Sequence, residues 1–188
     1  SKGMRAKVSL SLALSHDPEL LILDEPTAGL DAMVRREFLE SMVGRAADGR
    51  TVFLSSHQIN EVERVADQVA LIRQGELLLA ERLDDLKARC RTISMTLAGE
   101  AIEPQLPEGR FIDCLQEGRR LRWVVVDMPD GRIGEISGQD GVESVDVHRP
   151  DLEEIFVALM QGTVERSGSN GPASRHETDP SGSVEEVV

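Results

Sequence analysis

The stretch Leu20-Leu21-Ile22-Leu23-Asp24-Glu25-Pro26-Thr27-Ala28-Gly29-Leu30-Asp31 decides how this chain is read. Four apolar residues predict a short strand buried in a sheet. Two adjacent carboxylates, Asp24 and Glu25, end it; a Pro/Gly turn follows, and a third carboxylate, Asp31, closes the loop. Successive residues at a strand end point in different directions, so Asp24 and Glu25 can serve separate roles. Asp31 also reads as the N-cap of the next helix. A bare Asp-Glu pair would suit a strand ending in solvated acids, and the Pro26–Asp31 continuation sets this one apart.

Working outward, residues 1 to about 90 alternate helical and strand patterns. Val8, Leu10, Leu12, Ala13 and Leu14 predict a mostly apolar helix ending near Asp17-Pro18. Val34 to Ala47 predicts a helix with Phe38, Leu39, Met42 and Val43 on one side. Thr51–Leu54 is a second apolar strand, and Ile59, Val62, Val65 and Ala66 mark a short helix. Val69–Ile72 and Leu77–Leu79, joined across Gln74-Gly75, predict a hairpin. Short apolar strands separated by helices indicate an α/β fold with a parallel sheet, the hairpin at its edge.

Three further groups join the acids. His57 ends Leu54-Ser55-Ser56-His57, just past the second strand, where an imidazole can donate a hydrogen bond and steady a water together with Glu25. Ser1-Lys2-Gly3-Met4-Arg5 precedes the first helix; a hydroxyl and a glycine N–H at a helix N-terminus form an anion site. No Gly-rich loop ending in Lys-Ser/Thr occurs anywhere, and Lys2, Lys7 and Lys87 are the only lysines.

Taken together, these motifs resemble those of the ATP-binding-cassette (ABC) ATPases, and residues 1–90 match that family nearly end to end. By this resemblance Leu20–Glu25 is the Walker B strand, Gly29-Leu30-Asp31 the D-loop, His57 the switch histidine and Ser1–Arg5 the signature motif. The motif departs from the usual Ser-Gly-Gly-Gln at Lys2 and Met4, in a form common among ABC-2-type exporter ATPases. The resemblance implies a P-loop NTPase domain that binds ATP and Mg²⁺, with Asp24 on the metal and Glu25 polarising the attacking water. It implies that His57 contacts the γ-phosphate, that Asp31 crosses a dimer interface, and that Ser1 and Gly3 touch the nucleotide of a second, head-to-tail subunit. Integral-membrane permease subunits are the other implied partners, which places the protein peripherally on the cytoplasmic face of the membrane. The phosphate-binding loop is missing, and Ser1 is not an initiation context. The chain is therefore expected to be a fragment, from the signature motif onward, that neither binds ATP tightly nor hydrolyses it alone. Two other readings stand beside this one: an ABC-type ATPase acting on chromosomes or ribosomes, and a non-catalytic truncated interaction module.

Residues 92–161 have a different rhythm. Ile93–Leu97, Phe111–Leu115, Leu121–Val126 and Val142–Val147 are strand candidates, with a helix at Ile133–Ser137. Asp151 and Glu154 have capping-box spacing at the start of a closing helix through Met160. This segment is expected to be a small α+β accessory domain of the ferredoxin-like type. Its Pro150–Phe156 stretch resembles a common ending of drug and ABC-2-type exporter ATPases. The remaining residues, 162–188, rich in Ser, Gly, Pro and acids, are expected to form a disordered tail. That gives three segments: 1–91, 92–161 and 162–188.

The composition sets limits on function. A formal charge of −13 argues against a nucleic-acid partner, which would require a basic face. The acidity is uneven: 13 basic residues against 15 acidic in 1–95, but 6 against 14 in 96–161 and 2 against 5 in 162–188. Cys90 and Cys114 form neither a metal cluster nor a disulfide framework. No apolar run approaches the roughly 20 residues that cross a bilayer. The basic pairs Arg35-Arg36 and Arg119-Arg120 read as solvated.

Overall fold

A computed structural model describes residues 2–99, 104–105, 109–129 and 131–161. Ser1 and the tail from Gly162 lie outside the described residues. The chain divides into two compact units, the first running to Leu83 and the second starting at Asp84.

In the first unit the elements are α1 (Lys2–Leu14), β1 (Leu20–Leu23), α2 (Ala32–Ala47), β2 (Thr51–Leu54), α3 (Ile59–Val65), β3 (Gln68–Arg73) and β4 (Glu76–Arg82). β1 and β2 pair in parallel, with Leu20 opposite Thr51 and Leu23 opposite Leu54, so α2 is the crossover a parallel pair requires. Leu21 packs with Phe38 and Met42 of α2, joined by Leu10 and Leu14 of α1.

The reading of β1 as buried holds for one face only. Leu20, Ile22 and Phe53 remain 53%, 69% and 50% exposed on the other. The reason is the two-residue period of a strand: α1 and α2 take one face, and no described element covers the second. α1 carries a similar stripe, with Met4, Val8 and Leu12 exposed at four-residue intervals. The hairpin forms as predicted, turning at Gln74 (φ 53°) and Gly75 (φ 77°), the paired left-handed residues of a type I′ turn. It is not an edge of the parallel sheet, however. Among the described residues β3 and β4 pair only with each other.

α4 (Leu83–Arg89) leads into the second unit and has no counterpart in the sequence reading. Its signals were short: Leu83 and Leu86 buried one turn apart, Asp84 and Asp85 in the first turn, Lys87 and Arg89 in the last. β5 (Cys90–Leu97), β6 (Arg110–Glu117), β7 (Arg120–Val126), α5 (Arg132–Ser137), β8 (Val142–His148) and α6 (Leu152–Gln161) follow. The four strands form one antiparallel sheet in the order β6-β7-β5-β8. One face carries a closed core of Ile93, Met95, Leu97, Phe111, Leu121, Trp123 and Val125, capped by Ile136 of α5. Phe111 and Trp123 meet edge to face, with centroids 5.4 Å apart. α6 packs on β6 through an apolar face that includes Leu152 and Ile155. The capping box at its start forms in both directions: Glu154 N–H donates to Asp151 Oδ1 at 2.8 Å and Asp151 N–H to Glu154 Oε2 at 3.3 Å.

Two of the basic residues read as solvated are engaged instead. Arg35 pairs with Glu61 at 2.9 Å and donates to the Leu30 carbonyl, tying the loop after β1 to α3. Arg119 donates to the Leu97 carbonyl at 2.6 Å and pairs with Glu143. Sequence spacing alone gave no sign of these partners, which come from elsewhere in each unit.

Candidate functional site

Parallel pairing brings the C-terminal ends of β1 and β2 together, and the ladder continues one step beyond them: Ser55 N–H donates to the Leu23 carbonyl at 2.9 Å. Asp24 and Ser55 therefore stand side by side, followed by Glu25 and the turn that carries His57. Residues some thirty positions apart in sequence are joined by four polar contacts at this edge.

Ser55 Oγ donates to Asp24 Oδ1 at 2.6 Å and accepts the Glu25 N–H at 3.0 Å. The first distance is that of a charge-assisted O–H···O⁻ bond. Glu25 Oε1 accepts the His57 backbone N–H at 2.9 Å and lies 2.8 Å from His57 Nδ1. Its second oxygen, Oε2, is buried and takes no hydrogen bond among the described residues. An unsatisfied buried acceptor of this kind costs roughly 1–3 kcal/mol. The Glu25 backbone has φ 43°, a left-handed conformation unusual for a side chain without local hydrogen bonding, and of the sort that gathers at functional sites. Two turn bonds, Ala28 N–H to Glu25 O and Leu30 N–H to Thr27 O, then fold the loop back toward α2. Gly29 allows this with φ 73°.

The structure thus brings together Asp24, Glu25 and His57. Asp31 sits at the end of the same loop, where its Oδ1 accepts the N–H groups of Met33 and Val34 at 3.1 and 3.0 Å and caps α2. No hydrogen bond among the described residues links it to the other three. Gly3 lies in the first turn of α1, and Ser1 is outside the described residues. Ser55 was missed by the sequence reading. The available signal was the run Ser55-Ser56-His57 after an apolar strand, whose two hydroxyls take different jobs: Ser56 Oγ accepts the Gln58 N–H at 3.0 Å and shapes the turn.

Chemically, this edge offers one carboxylate with an open oxygen, a second carboxylate with a buried open oxygen, and an exposed imidazole. Among the described residues no group of three or more His, Cys, Asp or Glu side chains could hold a metal ion by itself, so Asp24 would bind a hard cation only alongside ligands from elsewhere.

Known proteins point the same way. The family model described as "AAA domain, putative AbiEii toxin, Type IV TA system" matches residues 1–63. An uncharacterized ABC transporter ATP-binding protein of Nostoc sp. is 34% identical over 173 residues, covering 86% of this chain and 48% of the relative. The bacitracin transport ATP-binding protein of Bacillus licheniformis is 32% identical over 170 residues, 86% of this chain and 55% of its own length. The daunorubicin resistance ATP-binding protein DrrA3 of Streptomyces coeruleorubidus is 30% identical over 175 residues, 85% and 53% respectively. The chain spans about half the length of the curated relatives it matches. Across the described residues no helix is long and apolar enough to cross a membrane. Over most of its length the chain is thus homologous to proteins named ABC transporter ATP-binding proteins, drug-resistance and export types among them, and its α/β elements are consistent with an AAA/P-loop NTPase-type family.

Proposed function

We propose that this chain is the part, from the signature motif onward, of an ATP-binding and ATP-hydrolysing subunit of an ABC transporter, of the ABC-2-type exporter kind. The observation that carries the reading is Glu25, with one carboxylate oxygen held by His57 and the other buried and open. Oε2 is buried as it stands, so the carboxylate would accept a proton from an attacking water only after turning that free oxygen toward the nucleotide. With Nδ1 engaged by Glu25, His57 has Nε2 left with which it would donate to a γ-phosphate oxygen. Asp24 suits Mg²⁺ by donor chemistry, since that cation is usually bound through one or two carboxylates plus phosphate oxygens and water. The bound cation supplies neutralisation of charge on the phosphoryl oxygens.

Ser1 and Gly3 are read as contacts to ATP held by a second, head-to-tail subunit, and Asp31 as the D-loop residue at that interface. The phosphate-gripping loop belongs to protein outside this sequence. The bare sheet face of Leu20, Ile22 and Phe53 supports this, because parallel sheets are ordinarily covered on both sides. The exporter reading draws on relatives named for daunorubicin resistance and bacitracin transport. It carries with it integral-membrane permease partners and a place on the cytoplasmic face. Residues 92–161 are read as a ferredoxin-like accessory domain. The strand order β6-β7-β5-β8, all antiparallel, supports this, as it is the order of a split β-α-β fold.

The test is Glu25→Gln in the longer protein. Nucleotide binding stays at the unaltered level, and ATP turnover falls about 10²-fold or more, the scale of a general-base contribution. Near-normal turnover in that variant would remove Glu25 from the role and the reading with it.

A further inference from the structure

We propose that Ser55 is a positioning residue for the cation bound by Asp24, an inference that rests on the ATPase reading above. The hydroxyl of Ser55 has one proton and two lone pairs, and the structure uses both functions at once. The proton goes to Asp24 Oδ1 at 2.6 Å, and a lone pair takes the Glu25 N–H at 3.0 Å. One buried side chain, 7% exposed, therefore sets the orientation of the Asp24 carboxylate and anchors the left-handed Glu25 backbone next to it.

The consequence for the metal follows from the free valence. Asp24 Oδ2 takes no bond among the described residues, so fixing Oδ1 leaves one oxygen aimed and available. Without the hydroxyl the carboxylate can rotate, and the side chain of this exposed residue loses its only partner among the described residues. Outer groups that orient a metal-binding carboxylate typically change metal affinity by 10–100-fold when removed. The parallel register makes Ser55 the one residue of β2's continuation that can do this: it follows Leu54, the partner of Leu23, just as Asp24 follows Leu23. Ser56, its neighbour, faces the Gln58 N–H and serves as the control.

The experiment is Mn²⁺ titration of the longer protein followed by electron paramagnetic resonance, with the non-hydrolysable analogue AMP-PNP present so that no turnover contributes. Ser55→Ala should weaken Mn²⁺ binding about tenfold or more. AMP-PNP affinity measured in EDTA should stay unchanged. Ser55→Thr, which keeps the hydroxyl, and Ser56→Ala should both bind Mn²⁺ as the unaltered protein does. Unaltered Mn²⁺ affinity in Ser55→Ala, with only a lowered melting temperature, overturns the positioning role and leaves Ser55 a packing residue. If Ser55→Ala does not fold, Ser55→Cys, whose S–H is a weak donor, is measured instead, and unaltered affinity there also overturns it. Failure of the unaltered protein to take up Mn²⁺ with AMP-PNP overturns the nucleotide reading itself, and the role of Ser55 with it.

Discussion

The parallel sheet of the first unit and the four-stranded sheet of the second solve the same burial problem to different degrees. In the second unit, Ile93, Leu97 and Val125 are fully buried, and the four strands share a core closed by a tryptophan and a helix. In the first unit, a two-stranded parallel sheet buries Leu21 and leaves Leu20, Ile22 and Phe53 half to two-thirds in solvent. The candidate site sits at the end of the less covered sheet. The difference fits the function proposed above, in which the sheet face and the site of the first unit are completed by other protein while the second unit has its own closed core.

That contrast gives a graded set of tests. The largest effect is expected in the closed core. Trp123→Ala removes the side chain that contacts Phe111 and should destabilise the second unit by about 3–5 kcal/mol. The measurement is equilibrium urea unfolding; a loss below about 1 kcal/mol would show that this core is looser than its burial implies.

A smaller effect is expected at the loop. Asp31→Ala removes the cap of α2 and should cost about 1 kcal/mol in the thermal unfolding of the first unit. Asp31→Asn keeps an acceptor and should recover most of that. If Asp31→Asn nevertheless reduces ATP turnover in the longer protein, Asp31 acts in the site and not only as a cap.

The bare face predicts an effect whose size depends on context. Ile22→Thr should be close to neutral for the stability of this chain alone, because the side chain is 69% exposed. In the longer protein the same change should cost about 1 kcal/mol or more, as a buried methyl position turns polar. Equal effects in both contexts would break the comparison.

The smallest effect concerns pH. Arg89 holds Asp127 through two hydrogen bonds of 2.8 Å and lowers its pKa below the ordinary carboxylate value. A carboxylate with a depressed folded pKa adds stability above its unfolded pKa, and that stability is lost as pH falls through the folded value. The pair is about half exposed, so the contribution is a few tenths of a kcal/mol. Asp127→Asn, tolerated at φ 58°, should flatten this acid limb in melting temperatures followed from pH 6 down to pH 3.

Much of this was legible in the sequence because it is local. The short apolar strands, the turn at Gln74-Gly75 and the capping box at Asp151 and Glu154 each depend on neighbours within a few positions, and each forms. Asp24, Glu25 and His57 were singled out by their motifs, and the parallel register brings them together in space. What the sequence hid is non-local. The partners of Ser55 lie thirty and thirty-one residues away, and Arg35 turns inward only because Glu61 arrives from α3. The exposed face of β1 was also invisible, since an apolar run predicts burial whether or not the covering protein is present.

The central claim is that the edge formed by Asp24, Glu25 and His57 is one half of a Mg²⁺-dependent ATP-hydrolysing site. Its most direct test is phosphate release from Mg²⁺-ATP, measured on this chain alone and on the longer protein, each with and without Glu25→Gln. The account predicts no Glu25-dependent release from the chain alone, and release from the longer protein that falls about 10²-fold or more in the variant. Glu25-dependent hydrolysis by the 188-residue chain on its own would contradict it.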